Sequence, residues 1–534
     1  MLKSYFHSLI THWKESLYLL SLATFLVALP TSISFITGTV IALLVVWILT
    51  GNYKEKWNRL IHNKSALLLM SIPLIYVIGL CFTHNFAMGF QELNKSSYWF
   101  IFAFVLGSSS PISYKNTSRL LWVYILTVTI AAVVALCKLQ LNEALLFSDF
   151  RQVTWVDHIP FSYQIAFVIW LILYFILQEK YVWFKKAALF LLIAFLIFVL
   201  SSLKSFNGFL YFGVISFTAL IMLIWKIKKK LLKFTLLGVT ILISLLPIFY
   251  IYHCVQKFYD TTEYHPEHIE KYTAQGNLYK HNFNNKTKEN GNYTSLFICE
   301  EELIPLWNAH SNKLYQSQTT NGYPFRSVII RYMTSRGLTK DAAGFAQLSQ
   351  QDIKNIENEC TNYIYENKLK IYPRIYETIW EIDQYKIDKN PNRKSFAQRI
   401  EQVFLTIDII KKHPWVGIGL GNNAQAYNEI IAESGSKLIE QETKSSHNQY
   451  LNYLIRFGIL GTLYILGVLG YVFYKGRKNN SFLITIFFVS MLVVNFGEAN
   501  WETFVGINFF SFFICFIMWI LPNKISDNNS NLVI

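Results

Sequence analysis

Uninterrupted apolar stretches recur along this 534-residue chain, separated by short polar turns. Twelve of them read as helical membrane spans, a hydrocarbon core needing roughly 20 residues each. They lie at about 16–30, 33–49, 66–82, 97–110, 119–138, 161–178, 187–203, 208–225, 232–252, 450–474, 481–496 and 504–521. The first two are alternatively a helical hairpin broken at Pro30. The pattern predicts an all-α polytopic membrane protein. One long hydrophilic stretch, 253–449, interrupts the spans. Three regions result: spans 1–9 (1–252), a loop domain (253–449), and spans 10–12 with a tail (450–534).

Within the loop, 253–320 is rich in Tyr, Asn, Lys and Thr and has weak periodicity. From 340 to 412 apolar residues recur at helical spacing: Ile353, Ile356, Cys360 and Ile364, then Ile375, Ile379 and Ile382. A last helix carries Ile400, Val403, Phe404, Ile407 and Ile410 as an apolar stripe. It stops at His413, because Pro414 cannot continue it. No internal repeat is visible.

Composition agrees with a membrane protein: 53% apolar, 17% aromatic and only 15% charged residues. The net charge of +15 is spread over several turns instead of forming one face, so it does not point to nucleic acid. The lysines and arginines do fix an orientation. Lys54, Lys56, Arg59 and Lys64 follow span 2, and Lys180, Lys185 and Lys186 follow span 6. Lys226, Lys228, Lys229, Lys230 and Lys233 follow span 8, and Lys475, Arg477 and Lys478 follow span 10. The alternate turns carry one cation at most. The positive-inside rule makes the basic turns and both termini cytoplasmic and the 253–449 loop extracytoplasmic. The first apolar run lacks a cleavage site of small residues, so no signal peptide is expected. Of six cysteines, Cys254, Cys299 and Cys360 face the oxidising side, where a Cys299–Cys360 disulfide is one option. No zinc-ligand spacing occurs, and no cofactor is expected.

Candidate chemistry gathers at the outer boundary. Ser446 and Gln449 form an S-x-x-Q capping box, which would make His447 the first residue of span 10. The positive end of that helix favours a neutral imidazole able to accept a proton. The alternative is an interfacial histidine bonded to a neighbouring loop. Arg399, at the edge of the stripe, is either an anion-binding group or a solvated helix arginine. Gly417-x-Gly419-x-Gly421 lacks the dinucleotide spacing, and either permits tight backbone packing or forms a phosphate-binding nest. His158 opens span 6, preceded by Arg151. Lys204 is a lone cation between spans 7 and 8, where snorkelling is the alternative. The turn after span 11 offers Glu498, Trp501 and Glu502. Cations and imidazoles at a lipid–water boundary suit a substrate with a diphosphate head and a lipid tail. Arginine and lysine would grip the diphosphate and stabilise it as it departs, while a neutral histidine deprotonates an attacking hydroxyl.

The run from Arg399 through His413-Pro-Trp-Val-Gly-Ile-Gly-Leu-Gly-Asn to His447-Asn-Gln-Tyr-Leu and Phe457-Gly-Ile-Leu-Gly461 resembles the O-antigen ligase/polymerase superfamily of bacterial inner membranes. The Ser-Ser-x-Lys…Gly turn at 201–208 is similar to that family's Ser-Arg…Gly motif, with Lys204 in place of the usual arginine, and His158-x-Pro to its motif at the preceding span. The resemblance implies a metal-independent, inverting glycosyltransferase of C-type architecture, working on the periplasmic side of the inner membrane. It implies a donor glycan on undecaprenyl diphosphate, held by Arg399 and Lys204 with Arg151 and His158 nearby, and His447 as the catalytic residue. The acceptor is a lipid A-core sugar for a ligase. Siblings of the same fold are repeat-unit polymerases, acting on a growing glycan, and protein O-oligosaccharyltransferases. A lipid-linked glycan transporter or flippase is the reading from another class; inverted repeats, broken spans and ionisable groups near mid-bilayer would mark it.

Overall fold

The computed structural model describes residues 13–141, 153–203, 205–366, 371–439, 445–478 and 481–521. The chain divides into two compact units, Met1–Ser244 with Gln398–Ile534, and Leu245–Ala397.

The first unit is a bundle of apolar helices. Trp13–Thr31 (α1) and Ile33–Leu49 (α2) form a hairpin: Pro30 lies in the last turn of the first, and the Ser32 side chain caps the second by accepting from Phe35 N–H. A sharp bend of 114° then turns α2 into the short amphipathic helix Tyr53–His62 (α3). The expected third span is broken into Lys64–Met70 (α4) and Ile72–Leu80 (α5), with Pro73 just inside the second piece. The expected fourth begins earlier than its apolar run, at Phe86, because Asn85 supplies a cap for Phe86–Ser108 (α6). Tyr114–Leu141 (α7), His158–Gln178 (α8), Trp183–Ser202 (α9), Phe206–Trp225 (α10) and Lys230–Tyr259 (α11) follow. By length and composition, six described helices can cross a membrane. They are α7 to α11 and a helix at Gln449–Gly476. The other expected spans coincide with helices that are shorter, broken or more polar.

α8 is the axis of this unit: 83% of its apolar window is buried, against 22% for α9 and 28% for α10. Its Phe167 packs on Phe487 and Phe513, with ring centroids 4.9 Å apart in both pairs. Phe25 of α1 meets Phe512 at 4.5 Å. Such aromatic contacts bury large area with defined geometry. At one end α8 and α10 approach so closely that a side chain on Gly208 would meet Ser162 at 2.5 Å.

The second unit holds a two-residue ribbon, Lys288–Glu289 (β1) with Asn292–Tyr293 (β2), and small helices. These are Glu300–His310 (α12), Arg326–Ser335 (α13), Ala342–Phe345 (α14), Gln350–Glu357 (α15) and Tyr372–Asp388 (α16). Trp307, Ile329, Tyr332 and Ile356 make its apolar core. Beside it Glu289 is fully buried, paired with Arg331 at 2.7 Å and accepting from Asn362 and Tyr376. Burial of a carboxylate is tolerated only with such partners. The helical reading of 340–412 needs one correction: α15 stops at Glu357, and Glu359, at φ 64°, turns the chain before Cys360. Cys299 and Cys360 do not form a disulfide; both are buried free thiols. Ser395–Lys412 (α17) stops just before His413-Pro414, as expected. Its buried side is Gln402, Leu405, Thr406 and Ile409, while Phe404 and Ile407 of the expected stripe are exposed.

Candidate functional site

Asn423–Ser434 (α18), Gln449–Gly476 (α19), Ser481–Val494 (α20) and Phe504–Cys515 (α21) complete the first unit. The start of α19 differs from the capping-box expectation. Asn448 is the cap, its side-chain oxygen accepting from Tyr450 N–H at 3.0 Å and Leu451 N–H at 3.1 Å. Ser446 instead donates to Asn452 Oδ1 at 2.7 Å. His447 is therefore outside the helix, with φ at 52°. An asparagine carbonyl satisfies two of the orphan N–H groups, so it prevails over a serine two residues earlier.

The turn 495–503 is stitched to this helix start. Gln449 N–H donates to Asn495 O at 2.9 Å, and Gln449 Oε1 accepts from Trp501 N–H at 2.9 Å. Tyr450 hydroxyl donates to Leu492 O at 2.6 Å. These bonds bring Glu498 to the histidine. His447 Nδ1 lies 2.8 Å from Glu498 Oε1, and Arg399 Nη2 3.0 Å from Glu498 Oε2. Arg399 Nη1 also donates to Gly497 O at 3.1 Å. Arg399 is thus not a solvated helix arginine. Two of its five donors are used here, which leaves three for another anion. With a carboxylate accepting at Nδ1, a neutral ring is assigned its proton there, which leaves Nε2 as the acceptor nitrogen. Burial works to raise the Glu498 carboxyl, but the His447 hydrogen bond and the charges of His447 and Arg399 outweigh it and hold it below the usual carboxylate range. The side chains of His447 and Arg399 stay 37% and 32% exposed, whereas Glu498 is 13% exposed. The carboxylate is the buried anchor, and the two groups it holds remain reachable.

The other expected site residues are placed differently. His158 opens α8, its Nδ1 2.9 Å from Asp157 Oδ1, and it makes no hydrogen bond or ion pair with His447, Glu498 or Arg399. Arg151 and Lys204 lie outside the described residues. The neighbouring 205–208 turn does reach the site. Ser205 caps α10 through Gly208 N–H at 3.1 Å and accepts from Ser162 at 3.1 Å. Asn207 Oδ1, buried and unpartnered, lies 2.8 Å from where a side chain on Gly497 would begin.

A second ion cluster escaped the sequence reading. Arg456, 5% exposed on α19, is 3.1 Å from Glu92 of α6 and 2.7 Å from Glu502. Asn452, one turn earlier on the same face, donates to Glu502 at 2.9 Å. The available signal was a lone arginine inside an apolar span, which is expensive unless paired.

Next to Arg456 the helix breaks. Gly458 has φ 60° and ψ −167°, which frees backbone groups on either side. The 414–420 segment satisfies them: Ile418 and Gly419 N–H donate to Ile455 O and Arg456 O at 2.8 and 3.0 Å. In return Ile459 and Leu460 N–H donate to Pro414 O and Trp415 O at 2.8 and 3.2 Å. Irregular backbone inside an apolar helix survives only where protein supplies the partners. The glycines are explained by proximity. A side chain on Gly417 would meet Arg456 C at 2.4 Å, one on Gly421 Asn85 O at 2.5 Å, and one on Gly458 Trp415 C at 2.2 Å. Tight packing is the role of this Gly-x-Gly-x-Gly run, since its N–H groups at 418 and 419 are spent on α19.

This segment and the helix it straps are where a known family meets the chain: residues 363–466 match the O-antigen ligase family model. The match supports the O-antigen ligase/polymerase superfamily. Arg399, the 413–422 strap, His447 and Arg456 all lie inside the matched stretch; Glu92, Glu498 and Glu502 lie outside it. No curated protein matches the chain.

Proposed function

We propose that this protein is an O-antigen ligase-like glycosyltransferase of the inner membrane, moving a glycan from undecaprenyl diphosphate to a lipid A-core sugar hydroxyl at the periplasmic face. The observation that carries the reading is the His447–Glu498–Arg399 cluster inside and beside the matched stretch. In the proposed step the acceptor oxygen attacks the anomeric carbon from the face opposite the diphosphate. The bond from that carbon to the phosphate oxygen breaks, and the diphosphate leaves with the electron pair. The hydroxyl proton passes to His447 Nε2. Glu498 keeps Nδ1 protonated and supplies the counter-charge for the imidazolium that forms. The spare donors of Arg399 meet the negative charge growing on the leaving group. The donor's diphosphate is already a good leaving group, so no nucleotide is required outside the cell, and neither metal nor cofactor enters the step. In this reading the twelve apolar stretches are the spans, and the charge asymmetry of the turns orients them with cytoplasmic termini and an extracytoplasmic 253–449 segment.

The broken α19 and the buried Glu92–Arg456–Glu502 cluster are features expected of a transporter. They favour that second reading less, because Arg456 is closed in by two carboxylates and the helix break is filled by chain. The deciding experiment is the surface glycolipid profile of a deletion strain. Free lipid A-core with accumulated long lipid-linked glycan is the expected result. Core bearing a single repeat means a polymerase, and intact lipopolysaccharide with lost glycoproteins means a protein transferase. Lipid-linked glycan trapped on the cytoplasmic leaflet would overturn the enzyme reading in favour of transport.

A further inference from the structure

At the elbow between α2 and α3 the chain builds a different kind of place. The 114° bend lays α3 across the end of the bundle that carries the basic turns. Its outward residues Tyr53, Trp57 and Ile61 are 53%, 61% and 44% exposed. An amphipathic helix with exposed aromatics and basic neighbours is the form that lies in a membrane interface. Beside it is a cavity of about 260 Å³ walled by Trp47, Tyr53, Trp57, Leu60 and Phe104. Lys56 closes its floor, bonded to Trp47 O and to Thr50 Oγ1 at 2.7 Å, with its ammonium 4.6 Å from the Trp47 ring.

The charges there are unbalanced. Arg59 fixes its guanidinium to Ser108 O at 2.9 Å. Lys14 reaches within 3.8 Å of where a side chain on Gly51 would begin. Burial, then Arg59, then Lys14 push the Lys56 ammonium down to about 8, so the three cations repel one another. Glu55, at 3.8 Å from Arg59, is largely solvated, and Glu15, next to Lys14 in the chain, is exposed and accepts from Asn116 at 3.0 Å. Three converging cations over an aromatic-walled cleft at a membrane boundary match an anionic headgroup with its acyl chain alongside.

We propose that the α2–α3 elbow is a binding site for one anionic phospholipid, such as phosphatidylglycerol, of the leaflet facing the basic turns. The headgroup phosphate sits between Lys14 and Arg59, and an acyl chain lies in the Trp47–Trp57–Phe104 cleft. The inference rests on the membrane reading alone and is independent of glycosyl transfer. The test is native mass spectrometry of the full chain released from nanodiscs of mixed phosphatidylglycerol and phosphatidylcholine. Wild type should retain one phosphatidylglycerol in preference to phosphatidylcholine. Each cation removed should weaken retention about fivefold, the value of one basic group near an anionic surface. Lys14→Gln, an exposed change, and Arg59→Gln supply the two variants, and Trp57→Ala should shorten retention of the same lipid. Equal retention of both lipids, or retention unaffected by Lys14→Gln and Arg59→Gln in correctly folded protein, would overturn the proposal.

Discussion

Two ion clusters share the start of α19 and the 495–503 turn, yet they are opposites. In one, Glu498 holds His447 and Arg399, which keep about a third of their side-chain surface open. In the other, Glu92 and Glu502 close over Arg456 until only 5% of it is exposed. The residue types are nearly the same and the carboxylates are buried alike; what differs is whether the basic partner is exposed. A buried carboxylate with reachable cations presents spare donors and a free imidazole nitrogen to a substrate. A buried cation with two carboxylates presents nothing and fastens α6, α19 and the turn together. On the proposed reading, exposure and not residue type separates the cluster that meets substrate from the one that fastens helices.

The comparison breaks first at His447. His447→Gln keeps a hydrogen bond to Glu498 but cannot carry a proton, and should lower glycan transfer by about 10²–10⁴, the usual loss for a missing general base. Near-normal transfer at normal expression would make the open cluster structural as well. Next is the sealed cluster. Arg456→Met leaves two carboxylates buried without their cation, a change worth about 3–5 kcal/mol of stability. Thermal unfolding of the purified protein should show it as a large drop, or as loss of folded material. Adding Glu92→Gln and Glu502→Gln should recover part of that stability; an Arg456→Met protein as stable as wild type would erase the distinction between the clusters. Arg399→Lys should be milder, with about a tenfold to hundredfold loss of transfer, because an ammonium cannot reproduce a planar fork that holds Glu498 and a diphosphate at once. Unchanged transfer in Arg399→Ala would remove it from donor binding. The smallest effect is a pH dependence. Glu498 is held below its ordinary value of 4.5, so its stabilisation is fully present above that pH and lost as pH falls through the lower folded value. The stability gap between wild type and Glu498→Gln should therefore close as pH falls below about 4.5; a gap that widens in that range would reverse the assigned direction.

Much of the frame was readable from local pattern. Helices stand at the expected apolar stretches, α17 stops where Pro414 requires, and His447 and Arg399 are in one cluster. These are short-range effects: a run of apolar residues, a missing N–H, a polar group at the end of a span. Even there, competition between neighbours misled, since Asn448 took the cap that Ser446 and Gln449 advertised. His158 looked equivalent to His447, because both open a helix at the same boundary. Only the arrangement of the turns separates them: Glu498 reaches one, and Asp157 stays with the other.

By itself, then, the sequence determined the helical character, the alternation of basic and non-basic turns, and the candidate histidine and arginine. Each depends on residues within a few positions of one another. Tertiary structure alone decided that Glu498 orients His447, that Arg456 is sealed by Glu92 and Glu502, and that Gly417 and Gly458 exist to let a strap pair with a broken helix. Those contacts join segments far apart in the chain. Their free energy comes from mutual desolvation and exact approach of backbones, which no periodicity records.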